Sequence, residues 1–232
     1  MVGAMQSGKS YQAEQIAREY PGAVVVYNAG KPEDFKGFEP AEILPKEKAA
    51  LYVAKEERKG YEYRADFYAV GTIGRGNVYF TQNIPDEGRK LKVYRAGRTD
   101  TERAFFAAAL AYFANTLVIL DDCKAVFRYG ASAEAIDFLS RINHAGNLRR
   151  DNRRGADVIA IFHGLDKVNP VFFDYCTDIV LFKTNSQPED ANFNNPDLMQ
   201  VIQNAFEYLK PFTLEERRYC IIDTNTLTIK KN

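Results

Sequence analysis

Gly3-Ala4-Met5-Gln6-Ser7-Gly8-Lys9-Ser10 satisfies the pattern G-x-x-x-x-G-K-[ST] at every fixed position. Residues of these types at this spacing bind phosphate. The glycines let consecutive backbone N–H groups curl around an anion at the start of the helix that follows. Lys9 carries a cation to the β- and γ-phosphate oxygens, and the Ser10 hydroxyl is a ligand for Mg²⁺. Every residue from Gly3 to Ser10, together with Tyr11 just beyond, is therefore an expected contact to ATP. A Gly/Ser turn that happens to precede a helix is the ordinary alternative, and four fixed letters at fixed spacing weigh against it.

A second constellation follows the apolar run Leu117-Val118-Ile119-Leu120, which ends in Asp121-Asp122. A strand that delivers a carboxylate beside a phosphate loop holds Mg²⁺, so Asp121 is the expected metal partner of Ser10, directly or through water. Asp122 stands where a hydrolytic enzyme often carries a Glu to polarise the attacking water. An Asp is one methylene shorter, which makes its reach as a general base less assured. Acids at strand ends are commonly just solvated, and only the upstream phosphate loop lifts these two above that reading.

The third constellation is basic. Arg149, Arg150, Arg153 and Arg154 crowd into Asn147–Gly155, with Arg141 upstream, and the strand Val158–Phe162 then ends in His163. For any one of these arginines a solvated turn is the plain reading. The chemical reading is an arginine finger, in which a guanidinium from one subunit neutralises charge developing on the phosphate bound by its neighbour. Arg150, Arg153 and Arg154 are the candidates carried forward. His163 is placed to sense the γ-phosphate or to orient water, against the alternative of a histidine satisfied in a strand-end turn.

These side chains need a framework, and the apolar patterning supplies one. A helix is expected over 10–20, closed by Pro21-Gly22, with a buried strand over 23–27. Further strands are expected over 117–120, 157–162 and 178–182, and an amphipathic helix over 132–149. The alternation through 61–82 around Gly71–Asn77 reads as a β-hairpin, residues 91–94 as a short strand, and residues 220–229 as a closing hairpin. The uncharged stretch 104–120 is near the lower length limit for a membrane span, but Asn115-Thr116 divides it into a buried helix and a buried strand. The whole reads as a wound α/β sheet.

Composition narrows the rest. A chain of 232 residues with 46% apolar content can bury one substantial core. Lys+Arg and Asp+Glu number 31 each, so attraction to nucleic acid requires a local patch rather than the whole surface. Cys123, Cys176 and Cys220 are odd in number and widely spaced, which points to reduced thiols and a cytoplasmic setting. One domain over 1–232 is expected, with an insertion over 28–100 and an extension over 185–232 that holds no membrane span. Only Met1 and Val2 precede the phosphate loop, too few for a strand of about five residues. The expectation is that the first core strand lies upstream of residue 3 or is replaced by another segment.

The order GAMQSGKS, LVILDD and RRDNRRGADVIAIFHGLDKVNPVFFDYCTDIVLFKT resembles the HerA/FtsK superfamily of DNA-pumping ATPases. That superfamily includes viral genome-packaging ATPases and the Zot-like assembly ATPases of filamentous phage. The resemblance covers residues 1–30 and 115–185. It implies a P-loop NTPase of the additional-strand, RecA-like type, with a mostly parallel sheet flanked by helices. It also implies a Mg²⁺-dependent ATPase working as an oligomeric ring on DNA, with viral capsid or membrane-vertex proteins as further partners. Arg153-Arg154-Gly155 occupies the family's Arg-rich turn, and Ile179–Thr184 matches its last strand. His163 stands in place of the usual Gln, and Asp122 in place of Glu, which bears on hydrolysis rate more than on binding. A nucleoside or nucleotide kinase, with Arg149–Arg154 as a closing lid, and a nucleotide-dependent binding protein with little turnover remain open at this point.

Overall fold

The computed structural model describes residues 1–29, 34–41, 43–44, 68–73, 76–80, 90–94, 105–106, 109, 113, 115–123, 127, 133–142, 156–191 and 195–232. These form two compact, sequence-interleaved units: 1–18 with 120–131 and 159–232, and 19–119 with 132–158.

The second unit is built on β-branched strands. Strand β1 (Ala23–Ala29) opens with the apolar run Ala23–Tyr27, all of it buried, as a strand covered on both faces requires. It pairs in parallel with β6 (Lys90–Tyr94), and β6 pairs in parallel with β2 (Glu39–Ala41). With β7 (Thr116–Leu120) and β8 (Asp157–Ala160) the strand order is β2-β6-β1-β7-β8. Strands β2 and β6 come from the span 28–100 read above as an insertion, yet they belong to this sheet. The expected hairpin from the same span is present as β4 (Tyr68–Ile73) and β5 (Gly76–Phe80). These pair antiparallel, and β3 (Ile43–Leu44) flanks β5.

All five residues of β7 are buried, and the described residues of the preceding segment, Phe105, Phe106 and Ala109, are helical and fully buried. The described residues of the stretch 104–120 therefore follow the helix-then-strand division that Asn115-Thr116 predicts. Tyr27 stacks on Phe105 at 4.2 Å between ring centroids, Phe113 meets Phe105 edge-on, and Phe106 reaches Phe138 of α2 (Ala133–Arg141). Among the described residues, no helix is long and apolar enough to cross a membrane.

The first unit holds the opening residues, helix α1 (Lys9–Glu19), α3 (Val171–Tyr175), β9 (Asp178–Phe182), α4 (Pro196–Leu209), β10 (Tyr219–Asp223) and β11 (Thr228–Lys231). Val2 bridges Phe162 on one side and Leu181 on the other, both in parallel. Its N–H donates to Val180 O at 2.9 Å, its carbonyl accepts from Phe182 N at 2.8 Å, and Gly3 N donates to Phe162 O at 3.2 Å. The few residues ahead of the phosphate loop thus lie between the end of β8 and β9 and are hydrogen-bonded on both sides. Beyond β9 the pairing turns antiparallel through β10 and β11, whose turn is the expected C-terminal hairpin. There Asp223 accepts from Asn225 N and Thr226 N, which holds its carboxyl below the ordinary range.

Helix α1 packs through Ala13 and Ala17, four apart and fully buried, with a Glu14–Arg18 ion pair on its outer side. Helix α4 starts at Asn195, whose side chain accepts from Asp197 N and Leu198 N, and Pro196 occupies its first position. Leu198, Ile202, Ala205, Phe206 and Leu209 form its buried stripe. The sequence reading missed this helix within 185–232.

Candidate nucleotide-binding site

The loop Gly3–Ser10 takes its shape from two left-handed residues, Gln6 at φ 63° and Gly8 at φ 98°. Steps of this kind turn successive N–H groups toward one concavity, which suits an anion. At Gly3 the reason for glycine is space. A Cβ there would lie 2.6 Å from the Phe182 Cβ and 2.9 Å from the Ser7 Oγ. Ala4 N donates to Lys183 O at 2.9 Å and Gln12 N to Gly8 O at 2.9 Å, so the loop is tied at one end to β9 and at the other to α1. Met5 stands out at 72% exposure on its tip.

Lys9 is buried at the first turn of α1. Its Nζ donates to Gly3 O at 2.8 Å, Ala4 O at 2.5 Å and Ser7 Oγ at 3.3 Å. Burial pulls its pKa from 10.5 down to about 8, and the Asp121 carboxylate opposes that shift. Asp121 is itself buried at the tip of β7, and its Oδ1 accepts from Asp122 N at 3.1 Å. Ser10 and Asp121 carry the donor types that Mg²⁺ takes, one hydroxyl and one carboxylate, which leaves the remaining positions to substrate phosphates and water. Among the described residues, no three His, Cys, Asp or Glu side chains gather into a metal cage.

Asp122 sits at φ 46°, a left-handed position that Asp tolerates. This turns its carboxylate toward His163, whose Nε2 lies 3.8 Å from Oδ1, both side chains being 39% exposed. Two residues from separate strand ends, each read from the sequence by itself, therefore meet. The strand ends are joined by Ile161 N donating to Leu120 O and Cys123 N donating to Ile161 O. The turn after His163 is held in turn by β9's continuation. Leu165 N donates to the Ser186 Oγ, and that hydroxyl bonds the Thr184 hydroxyl at 2.9 Å. Cys123, Cys176 and Cys220 are free thiols, and burial pushes the Cys123 pKa up.

The finger candidates Arg149, Arg150, Arg153 and Arg154 lie outside the described residues. One arginine that the sequence reading passed over does reach the loop. Arg217, at φ 50°, lays its Cβ–Cδ stem against Gly8 and its guanidinium 5.1 Å from the Tyr11 ring centre. In sequence it sits in Glu215-Glu216-Arg217-Arg218, which reads as an exposed charge run. Nothing local marks it.

The order of elements decides the fold. The strand carrying the acids, the strand ending in His163 and the residues leading into the phosphate loop follow one another, which is the additional-strand arrangement. No family model matches the chain, and no curated protein matches it in sequence. Solved structures do match. The chain has the fold of a viral genome-packaging NTPase. The similarity is to the genome packaging NTPase B204 from Sulfolobus turreted icosahedral virus 2. In complex with AMPPCP, B204 aligns at TM-score 0.60 and 17% identity, over 100% of this chain and 94% of B204. The complex with AMP gives 0.58 and 16% over 99% and 93%, and that with ATP-gammaS 0.56 and 16% over 100% and 93%. At such identities the likeness is one of fold.

Proposed function

We propose that this chain is the ATP-hydrolysing subunit of a DNA-packaging motor. The observation that carries the reading is the phosphate loop, rooted between the strand ending in His163 and β9 with Lys9 and Asp121 buried beside it, on a framework matching a packaging NTPase end to end. Lys9 offers charge to the β- and γ-phosphates, and the loop N–H groups bind the same oxygens. Mg²⁺, held by Ser10 and Asp121, would neutralise charge on the phosphates. Asp122 orients the attacking water and accepts its proton, and His163 positions Asp122 and reads the occupied site. One of Arg149, Arg150, Arg153 or Arg154 from a neighbouring subunit completes the site, so the active form is an oligomer acting on DNA.

The test is ATP hydrolysis with and without double- and single-stranded DNA, read beside native mass. Stimulation by DNA in an oligomer is expected. Alanine at the finger should lower kcat by about 10³-fold or more with ATP affinity nearly unchanged. Mixing that protein with Lys9→Ala protein should restore activity, because a mixed interface pairs an intact loop with an intact arginine. Concentration-independent turnover by a monomer, without rescue, would refute the motor in favour of a kinase or a passive nucleotide binder.

A further inference from the structure

A cavity of about 340 Å³ opens directly beside the phosphate loop, lined by Gly8, Tyr11, Gln12, Phe182, Arg217 and Tyr219 among others. That volume lies at the lower end of small-molecule sites. Its position is informative. Gly8 belongs both to the phosphate loop and to this cavity, and Tyr11 and Gln12 extend it along the first turn of α1. A group covalently attached to a phosphate in the loop would leave it on this side.

The far wall is a built platform. The carboxylate of Glu216 accepts from Thr213 N at 2.6 Å and Thr213 Oγ1 at 3.0 Å, which closes the turn and holds Glu216 below the ordinary carboxylate range. Arg217 N donates to Leu214 O at 3.2 Å in the same turn. The Lys183 ammonium donates to Lys210 O at 2.9 Å and also to Phe212 O, fixing the approach to the turn from β9. This turn delivers Arg217 in a left-handed conformation, with its stem on Gly8 and its guanidinium over the Tyr11 ring. An exposed planar cation held 5.1 Å from the centre of an aromatic ring suits one kind of partner: a second flat π system.

We infer that Arg217 and Tyr11 form the nucleobase platform of the site, a stacking surface that takes a purine. This rests on the phosphate-loop reading and adds the base to it. Recognition here is by face rather than by edge. The Arg217 guanidinium offers only donors, while the Gln12 carboxamide offers a donor and an acceptor and can turn to suit either purine. Adenine and guanine nucleotides therefore bind alike, and the smaller pyrimidines bind less well.

The experiment compares affinities of ATP, GTP, CTP and inorganic tripolyphosphate for the full chain and for Arg217→Lys and Tyr11→Leu. Lysine keeps the charge and the stem against Gly8 but loses the planar face. ATP and GTP are expected to bind within about threefold of each other and about tenfold more tightly than tripolyphosphate. Each substitution should weaken ATP and GTP by about tenfold and leave tripolyphosphate unchanged. Unchanged ATP affinity in both variants, or equal loss of ATP and tripolyphosphate in both, would overturn the platform while leaving the phosphate loop standing. Failure of tripolyphosphate and ATP alike to bind the unaltered chain would overturn the phosphate-loop reading, and the platform with it.

Discussion

The depressed pKa of Lys9 makes nucleotide binding a proton-uptake reaction. Buried against the loop carbonyls, its ammonium loses hydration and its pKa falls from 10.5 to about 8. A polyphosphate in the loop surrounds the same nitrogen with anionic oxygens and restores the charged form. The sign follows: below pH 8 the lysine already carries its proton, and above it the proton must be drawn from buffer. Lys9 is neutral in about a tenth of free molecules at pH 7, in about half at pH 8 and in about nine-tenths at pH 9. Uptake per bound ligand should therefore climb through about 0.1, 0.5 and 0.9 protons, and Kd should rise about tenfold between pH 7 and pH 9. Calorimetric titration of a non-hydrolysable ATP analogue, in buffers of different ionisation enthalpy at each pH, measures this directly. In Lys9→Arg protein the permanently charged guanidinium should abolish the pH-dependent uptake. A flat uptake across this range, or an unchanged one in Lys9→Arg, would refute the assignment of a desolvated, phosphate-facing lysine.

Asp122→Asn should lower kcat by about 10²-fold or more while ATP stays bound, because the carboxylate that faces His163 is lost and the buried Asp121 is not. Loss of binding instead, measured by equilibrium titration, would mean that the two acids have exchanged roles. Gly3→Ala places a methyl 2.6 Å from the Phe182 Cβ, and two backbone-anchored groups cannot yield cheaply. Thermal or denaturant unfolding should show a loss of about 1–3 kcal/mol, and an unchanged midpoint would show that the loop is looser than described.

Chemistry confined to a few consecutive residues was legible in the sequence. The phosphate loop, the buried run into Asp121 and the two hairpins each follow from local spacing, though the strands of the first hairpin run into the stretch 71–77 expected as its turn. Whatever depends on pairing between distant segments was less so. The short strand over 91–94 was legible in its alternation, but its place in the sheet, paired in parallel with β1, was not. The approach of His163 to Asp122 depends on how two strand ends line up, and on a left-handed turn at Asp122 that no neighbouring residue announces. Arg217 was hidden for the same reason. Its role comes from a turn braced by Glu216 and Lys183, and a run of four charges says nothing of what lies across from it. Helix α4 was readable after all, since Asn195-Pro196 is a helix start and its apolar stripe recurs at helical spacing.

The brace at Lys183 has a mechanical side. One ammonium grips the carbonyls of Lys210 and Phe212 at the end of α4, and a few residues later the chain rests Arg217 on Gly8. The segment between is a short crank with one arm on the phosphate loop and the other on a fourteen-residue rod. Such a rod is about 21 Å long and is packed along its length by Leu198, Ile202, Ala205, Phe206 and Leu209, so the outer arm of the crank is anchored in the core.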